Sequence, residues 1–264
     1  MGDVIVITSG KGGVGKTTSV ANIGCALAKS GKSVVMLDAD VGLRNLDVIM
    51  GLEDRIVYDF VDVLDAGCRL SQAIVKDKRF ENLYMLAASQ TKDKTDVDIN
   101  KMKRLTKELS EKYDYVIIDC PAGIEQGFHT AVAGADKAVV IATPEAASVR
   151  DADRIIGRLE SLGMKDIQIL INKVKPSMIR KGSMMGIDEI IEILASPLLG
   201  IVPYDDCVID AAGRGESVVQ NAGSRAGQAY VNISKRIIGE KVPMMDLEDE
   251  RTLRYRIKRV FSRK

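Results

Sequence analysis

A nine-residue segment near the N-terminus, residues 10–18, constrains this chain more than any other feature. Its sequence, GKGGVGKTT, matches the phosphate-loop pattern G-x-x-x-x-G-K-[ST]. The apolar, β-branched run 4–8 precedes it and indicates a buried parallel strand. The Ala-rich, proline-free run 17–30 follows it and indicates a helix. A strand, a glycine loop and a helix in this order predict an α/β fold built around a nucleotide site.

The residue types in this loop suit the binding of phosphate groups. Glycines let the backbone approach a ligand closely, so that its N–H groups and the N-terminus of the following helix face an anion. Lys16 is placed to reach the β- and γ-phosphates, and the Thr17 hydroxyl is placed to bind Mg²⁺. The predicted nucleotide-binding residues of the loop are Gly10, Lys11, Gly12, Gly13, Val14, Gly15, Lys16, Thr17 and Thr18.

Further apolar runs alternate with helical patterns along the chain. Predicted strands span residues 33–37, 83–86, 115–119, 137–142, 167–171 and 198–202. Predicted helices span 58–65, 98–112, 148–162, 187–194 and 225–239, and residues 173–186 are predicted to form an exposed loop. This alternation predicts a single-domain, doubly wound, mostly parallel sheet of the P-loop NTPase class, with helices on both faces, over residues 1–242.

Acidic residues stand where two predicted strands end. Asp38 and Asp40 follow the run 33–37, and Asp119 ends the run 115–119. In a parallel sheet these carboxyl ends share one edge, where ligands bind. Asp119 matches the Walker B pattern and is expected to hold Mg²⁺ through water. A carboxylate at Asp38 or Asp40 can orient an attacking water or serve as an ordinary helix cap, and spacing alone leaves both open.

Three further residues lie beside this predicted edge. Gly123, shortly after Asp119, can offer its backbone N–H to a γ-phosphate. Asn172 follows the run 167–171, where its amide can read a purine edge or hold local structure, and the residues leave both open. His129, the only histidine, is expected to be structural because phosphoryl transfer does not require one.

Charge is unevenly distributed between the body of the chain and its last residues. Residues 251–264 hold seven basic residues and no acidic one, whereas residues 1–250 hold 31 basic and 37 acidic residues. Leu253, Ile257, Val260 and Phe261 form one apolar stripe at helical spacing within that basic segment. Such a helix favours the interface of an anionic membrane, over docking on the body or binding nucleic acid. Residues 243–250 are predicted to be a linker to it.

The cysteines and the hydropathy pattern indicate where such a chain works. The four cysteines are widely spaced and form no C-x-x-C pair, so neither disulfides nor zinc are expected, and a reducing cytosol fits best. No segment resembles a signal peptide, and none reaches the roughly 18 apolar residues of a spanning helix. We therefore expect a cytoplasmic protein whose contact with a membrane is peripheral and is made by the tail.

The strings KGGVGKTT, DADVGLRNLDVIMG, DCPAGIE and TPEAASVRDADRI together resemble the deviant Walker A ATPases, the ParA/MinD family, and the resemblance runs from about residue 4 to the tail. It implies ATP as the substrate, with Mg²⁺, and an ATP-dependent homodimer in which Lys11 reaches the partner's nucleotide. It implies that Asp40 positions the water with support from Asp38, and that Arg44 and Asn45 lie near the dimer face.

The resemblance is strongest to the branch of this family that acts at the membrane to place the division septum. It implies that Pro203 and Asp205 hold the adenine, although this branch commonly has Glu where Tyr204 stands. It implies that the tail targets the cytoplasmic face of the bacterial cell membrane and that the ATP dimer recruits the division inhibitor MinC. It also implies that MinE, where present, stimulates hydrolysis and release. A single tail should bind lipid marginally, whereas two tails on one dimer should bind much more tightly.

Alternative functions within this family fit the same residues less well. A ParA-like DNA-partitioning ATPase would need a basic body, yet the body is acidic, so nucleic acid is an unlikely partner. A flagellar-number regulator of this family usually carries an additional N-terminal segment, and an iron-protein-like reductase needs cysteines in matching contexts beyond Cys120. A non-hydrolysing scaffold conflicts with the presence of Lys16 and Asp40.

Overall fold

The computed structural model describes residues 1–42, 44–90 and 97–247. The strands are β1 Asp3–Thr8, β2 Val34–Asp38, β3 Val75–Lys76, β4 Leu83–Leu86, β5 Tyr115–Asp119, β6 Lys137–Ala142, β7 Asp166–Val174 and β8 Leu198–Pro203. The helices are α1 Lys16–Lys29, α2 Leu46–Met50, α3 Phe60–Leu64, α4 Leu70–Ala73, α5 Ile99–Lys112, α6 Gln126–Val132, α7 Ala146–Ser161, α8 Pro176–Arg180, α9 Ile187–Leu194, α10 Asp206–Gly213 and α11 Arg225–Ile237.

These eight strands form one sheet in the order β3-β4-β2-β5-β1-β6-β7-β8. Every neighbouring pair is parallel except β3 and β4, which are antiparallel. Strands β2 to β5 lie on one side of β1 and strands β6 to β8 on the other, so the direction in which strands are added reverses at β1. A crevice at the carboxyl ends of the strands beside such a reversal is where open α/β sheets bind ligands. The predicted fold class, a doubly wound and mostly parallel P-loop sheet, is confirmed.

Both faces of the sheet are buried, which explains why its strands are continuous apolar runs. Val4 and Val6 point into the core on one face, and Ile5 and Ile7 point into the core on the other. α1 and α11 pack on the face of Ile5 and Ile7, while α5, α7 and α9 cover the opposite face. The central strands are therefore held rigidly from both sides, and so are the loops that leave their carboxyl ends.

Two predictions of local structure were wrong. Strand β7 continues to Val174, so Asn172 lies within the strand rather than after it, because pairing with β8 resumes at Val174 beyond an irregularity. The predicted loop 173–186 contains helix α8, which starts at Pro176, a residue whose fixed φ suits the first helical position.

Short helices near the ligand edge went unpredicted for a common reason. Helices α2, α6 and α10 have between five and eight residues. About two turns leave few positions in which an apolar period can show, and α10 lacks the strongly apolar pattern that made the equally short α9 predictable. Helix α3 is also shorter than predicted, because the capping box of Asp59 and Asp62 fixes its first turn.

The chain after α11 lies against the body as far as the structure describes it. The Arg236 guanidinium donates to the backbone oxygens of Val242, Pro243 and Leu199, the last of which is in β8. Arg225 donates to the carbonyl of Asp246, and Leu247 packs against the core. The predicted membrane helix, residues 251–264, lies outside the described residues, as do residues 248–250 of the predicted linker. Among the described helices, none is both long and apolar enough to cross a membrane.

Candidate functional site

The loop between β1 and α1 curls around the start of α1. Helix α1 begins at Lys16, directly after Gly15, which takes a left-handed conformation with φ of 100°. The Lys16 ammonium is nearly buried and donates to the Ser9 hydroxyl at 3.2 Å, and that hydroxyl donates to the Lys11 carbonyl at 2.8 Å. A cation held at the N-terminus of a helix is an arrangement suited to binding phosphate.

Close packing explains two of the loop glycines. A Cβ atom at Gly15 would stand 2.4 Å from the Asn172 amide nitrogen, and a Cβ at Gly10 would stand 2.6 Å from Asp151 of α7. Any side chain at either position would push the loop away from the neighbouring element. At Gly12, by contrast, an added Cβ would meet no described atom within 4 Å.

Asp38 and Asp119 stand side by side at the ends of adjacent strands, because the register of β2 and β5 pairs them. Thr17 lies next to the Asp119 carboxylate, whose Oδ1 atom is buried without a hydrogen-bond partner among the described residues. Burial, reinforced by the charge of Asp38, raises the pKa of Asp119 well above the ordinary value. A buried carboxylate oxygen without a donor is a place for a cation or its water.

The residues present fit Mg²⁺ held partly through water. Thr17 and Asp119 supply a hydroxyl and a carboxylate oxygen, which are ligands that this hard cation accepts. No group of three or more His, Cys, Asp or Glu residues that could hold a metal occurs in residues 1–42, 44–90 and 97–247. Water and nucleotide phosphates would therefore have to complete the coordination, as is common for Mg²⁺.

Asp38 also organises the segment that follows β2. Its two carboxylate oxygens accept backbone N–H bonds from Asp40 at 3.0 Å and from Asn45 and Leu46 at 3.3 Å. Burial raises the pKa of Asp38 to about 6. The Asp38 carboxylate therefore fixes the backbone of Asp40 at the edge of the sheet where Asp119 also lies.

On the other side of the loop, a cleft of about 670 Å³ extends from Lys16 and Thr17 to the ends of β7 and β8. Helices α2 and α10 form its walls, and Pro203, Tyr204 and Asp205 lie on its floor. Asn172 donates from Nδ2 to the Val14 carbonyl at 2.8 Å and accepts from the Lys173 N–H at 2.8 Å. Both polar ends of this amide are thus engaged with protein backbone, which favours the structural of its two predicted roles.

Asp205 is equally occupied. Its carboxylate caps α10 through the Cys207 N–H and accepts from the Ser224 hydroxyl at 2.6 Å and the Ala226 N–H. Although burial acts to raise the pKa of Asp205, these hydrogen bonds outweigh it and lower the pKa. Tyr204 places its ring 3.6 Å from the Lys175 ammonium in a cation–π contact. These contacts join the end of β8 to α10, α11 and the α8 region.

Two residues that were predicted to contact phosphate, Lys11 and Gly123, bind other protein groups in this structure. The Lys11 side chain is half exposed, with its ammonium 3.6 Å from the Glu145 carboxylate. The Gly123 N–H donates to the Ser9 carbonyl at 3.2 Å, so in this structure it ties the segment after β5 to the loop. Burial raises the pKa of the neighbouring Cys120 thiol to about 12, in line with the predicted structural role of that residue.

Sequence reasoning missed three polar residues that shape the site. Ser9 receives the Lys16 ammonium, Lys173 donates from Nζ to the Gly13 carbonyl at 2.7 Å, and Asn22 of α1 binds Ser217 and Val218. Ser9 had a signal, since it directly follows a strand at the ligand edge. Asn22 and Lys173 bond across long stretches of chain, and no local pattern predicts such pairs.

A phosphate loop, paired acidic strand ends and an adjoining cleft at the reversal of a parallel sheet define a P-loop nucleotide-binding protein. The model of the CobQ/CobB/MinD/ParA nucleotide binding domain matches residues 5–218. The septum site-determining protein MinD of Bacillus subtilis is 54% identical over 252 residues, which cover 95% of this chain and 94% of that protein. The chain therefore belongs to the MinD family of septum site-determining ATPases.

Solved structures agree with this assignment. The MinD of the Aquifex aeolicus MinC:MinD cell division protein complex has a TM-score of 0.87 and 46% identity, covering 92% of this chain and 99% of that chain. The septum site-determining protein MinD complexed with Mg-ADP from Pyrococcus horikoshii has a TM-score of 0.82 and 28% identity, covering 92% of this chain and all of that chain.

Proposed function

We propose that this protein is a membrane-associated ATP switch in division-site placement. It binds ATP with Mg²⁺ in the cleft, dimerises in the ATP state and hydrolyses ATP with water to ADP and phosphate. The observation that carries this proposal is the Asp119 oxygen without a partner, buried beside the Thr17 hydroxyl and near the Lys16 ammonium. These three groups supply the cation ligands and the positive charge that a nucleotide phosphate requires.

The roles of the individual residues follow from their places. Backbone N–H groups of residues 10–18 and the Lys16 ammonium bind the phosphates, and Thr17 and Asp119 hold Mg²⁺. The cation, when bound, neutralises charge on the phosphates. Asp40 orients the attacking water, and Asp38 holds Asp40 by accepting its N–H. Gly123 exchanges its bond to Ser9 for one to the γ-phosphate, which couples the segment after β5 to the nucleotide state.

The surface around the cleft supports the dimer. Val48, Ile124 and Ile209 are each more than half exposed, although they are apolar and belong to segments next to the nucleotide site. Exposed apolar side chains around a site favour a protein interface there. Lys11 is also half exposed, and it can exchange the weak pairing with Glu145 for a phosphate of the partner's nucleotide.

Partners and membrane attachment complete the proposal. The Aquifex relative forms a complex with MinC, and we extend that partner to this chain. The basic, amphipathic residues 251–264 attach the ATP dimer to anionic lipid, with Leu253, Ile257, Val260 and Phe261 entering the interface. MinE, in cells that have it, stimulates hydrolysis and so releases the protein to the cytoplasm.

Co-sedimentation with anionic liposomes tests the whole switch. The full chain is expected to sediment in Mg-ATP and to remain in the supernatant in Mg-ADP. Replacing Ile257 and Phe261 by Glu should abolish sedimentation without weakening ATP binding. Replacing Thr252 and Ser262 by Glu adds the same charge but keeps the apolar stripe, so this control should still bind in ATP. Binding to duplex DNA and not to liposomes would instead support a DNA-partitioning function.

A further inference from the structure

Helices α2 and α10 face each other across the cleft but are far apart in the chain. Helix α2 contributes Val48 and Ile49 to the lining, and α10 contributes Val208, Ile209 and Ala212. The width of the cleft at this point depends on what holds the two helices at a fixed separation. The contacts that hold them lie at their C-terminal ends, on three residues that do not line the cleft, Met50, Arg79 and Gly215.

One guanidinium group joins those two ends. Arg79, in the turn before β4, donates from Nη2 to the carbonyl of Met50, the last residue of α2, at 2.7 Å. From Nη1 it donates to the carbonyl of Gly215, two residues beyond α10. Carbonyls near the C-terminus of a helix lack intrahelical donors and carry the partial negative charge of the helix dipole. A guanidinium there both donates to these carbonyls and offsets that charge.

Asp77 holds that guanidinium in its orientation. The Asp77 carboxylate is buried, accepts the Arg79 and Phe80 backbone N–H groups, and lies 3.1 Å from Nη2 of Arg79. The Arg79 side chain itself is 24% exposed. A paired, partly buried guanidinium with a fixed plane binds two carbonyls with little loss of conformational freedom.

The two segments that Arg79 joins also touch backbone to backbone. A Cβ atom at Gly215 would stand 2.7 Å from the Gly51 Cα atom, and both glycines have positive φ. Beyond Gly215, the Asn22 side chain of α1 accepts from the Ser217 hydroxyl and the Val218 N–H. The end of α10 is thus fixed to α2 by Arg79 and to the helix of the phosphate loop by Asn22.

We propose that Arg79 is a positioning residue for nucleotide binding, which sets the separation of α2 and α10 without touching the nucleotide. The inference rests on the proposed nucleotide cleft between these helices. Loss of the bridge lets the two walls move independently, so the bound nucleotide must first order them. That cost falls on affinity, whereas the groups that act on the γ-phosphate, Lys16 and Asp40, stay in place.

Arg79→Met is the direct test, because it keeps the aliphatic stem and removes both donors. We expect it to weaken the binding of fluorescent mant-ADP at least tenfold, while turnover at saturating ATP stays within about twofold of wild type. Arg79→Lys, which can reach one carbonyl but not both, should give an intermediate affinity. Arg55→Met is the matched control, since Arg55 also donates to a backbone carbonyl, that of Lys76, but bridges nothing at the cleft.

A second variant tests the same spacing with Arg79 intact. Gly215→Ala forces a Cβ against Gly51 and should weaken mant-ADP binding as Arg79→Met does. Gly163→Ala introduces similar backbone strain, with φ of 86° and open space around it in the turn after α7, and should leave affinity unchanged.

The outcomes separate the two levels of the proposal. If both Arg79→Met and Gly215→Ala bind mant-ADP within twofold of wild type, or lower only the melting temperature without nucleotide, the positioning role is wrong. If Arg79→Met does not fold, the result for Gly215→Ala decides. If wild type and Arg55→Met themselves fail to bind mant-ADP, the nucleotide site is overturned and this inference falls with it.

Discussion

The two sides of the cleft treat their polar groups in opposite ways. On the phosphate side, the Asp119 carboxylate keeps an oxygen without a partner, and burial raises the pKa of both Asp119 and Asp38. The other side, at the ends of β7 and β8, is where we propose that the nucleotide base binds, and we call it the base side. There Asn172 and Asp205 have their polar atoms engaged with protein, and hydrogen bonds lower the pKa of Asp205. The phosphate side thus has a buried polar atom that lacks a hydrogen-bond partner among the described residues, whereas Asn172 and Asp205 on the base side have theirs.

This difference divides the work of binding between the two sides. Groups that lack partners in the protein gain most from a ligand, so the phosphates and the cation should supply most of the affinity. The base side offers apolar surface and a fixed shape, which add affinity in proportion to area and width. The phosphate side also carries a stability cost without ligand, because two neighbouring carboxylates are buried there.

Removing the charged group of the phosphate side should have the largest effect. We expect Lys16→Ala to weaken mant-ADP binding by about 100-fold or more, because a buried charge-assisted contact is lost. Ile209→Ala on the base side should weaken binding by less than about fivefold, since this side chain loses only partly buried apolar area. Isothermal titration of both variants measures the ratio, and equal losses would contradict the division between the sides.

The pH dependence of stability should also come from the phosphate side. Burial raises the pKa of Asp38 from 3.8 to about 6, so the folded protein binds protons more tightly there than the unfolded chain does. That contribution is present below pH 3.8 and is lost as the pH rises through about 6, at a cost of up to about 3 kcal/mol. The free energy of unfolding without nucleotide should therefore fall from pH 5 to pH 7.

The carboxyl ¹³C shift of Asp38, followed by NMR, gives a direct reading of this titration. A midpoint near 4 would remove the claim. Adding Mg²⁺ and nucleotide should depress the midpoint, because bound positive charge favours the carboxylate.

The two sides of the cleft meet where the Asn172 amide packs against Gly15 and occupies the space of a Cβ atom. Substitution of Gly15 tests this contact. Gly15→Ala requires a left-handed alanine and a shift of either the loop or Asn172, at a cost of about 1–3 kcal/mol in stability. Gly12→Ala meets open space and should leave the melting temperature within about 1 °C of wild type. Thermal melts without nucleotide compare the two, and equal melting temperatures would mean that the Asn172 contact is not restrictive.

Matched carboxylate-to-amide changes should move stability in opposite directions. Asp119→Asn removes a buried charge whose oxygen lacks a partner and should stabilise the protein without ligand by about 1 kcal/mol. Asp205→Asn weakens a helix cap and the bonds to Ser224 and Ala226, and should destabilise it by about 1 kcal/mol or more. Urea unfolding measures both signs, and a shared sign would contradict the comparison.

The smallest effect should come from the rim of the base side. Tyr204→Leu removes the cation–π contact with Lys175, which is worth about 0.5–1 kcal/mol at an exposed site. Nucleotide affinity should change by less than about threefold, and Tyr204→Phe, which keeps the ring, should match wild type. A loss above tenfold in both variants would show that the base side reads its ligand through the Tyr204 hydroxyl.

The phosphate side could be predicted from sequence far better than the base side. The loop, Asp38 and Asp119 follow strands directly, so strand patterns place them together once the sheet is assumed parallel. The base side depends on α2 and α10, which are too short to show a period, and on Asn172, Lys173 and Asn22, whose partners are distant in the chain. Arg79 likewise gave no local signal, because its role exists only once residues 50 and 215 are neighbours.

The bonds from Arg236 and Arg225 to the chain after α11 determine how far the remainder of the protein can extend. Eight residues, 240–247, could span about 27 Å if they were extended and free. Because Arg225 and Arg236 of α11 bind Val242, Pro243 and Asp246, these residues contribute none of that length. The described part of the predicted linker, residues 243–247, therefore does not act as a free tether, so any reach between the body and a membrane has to come from the residues after 247.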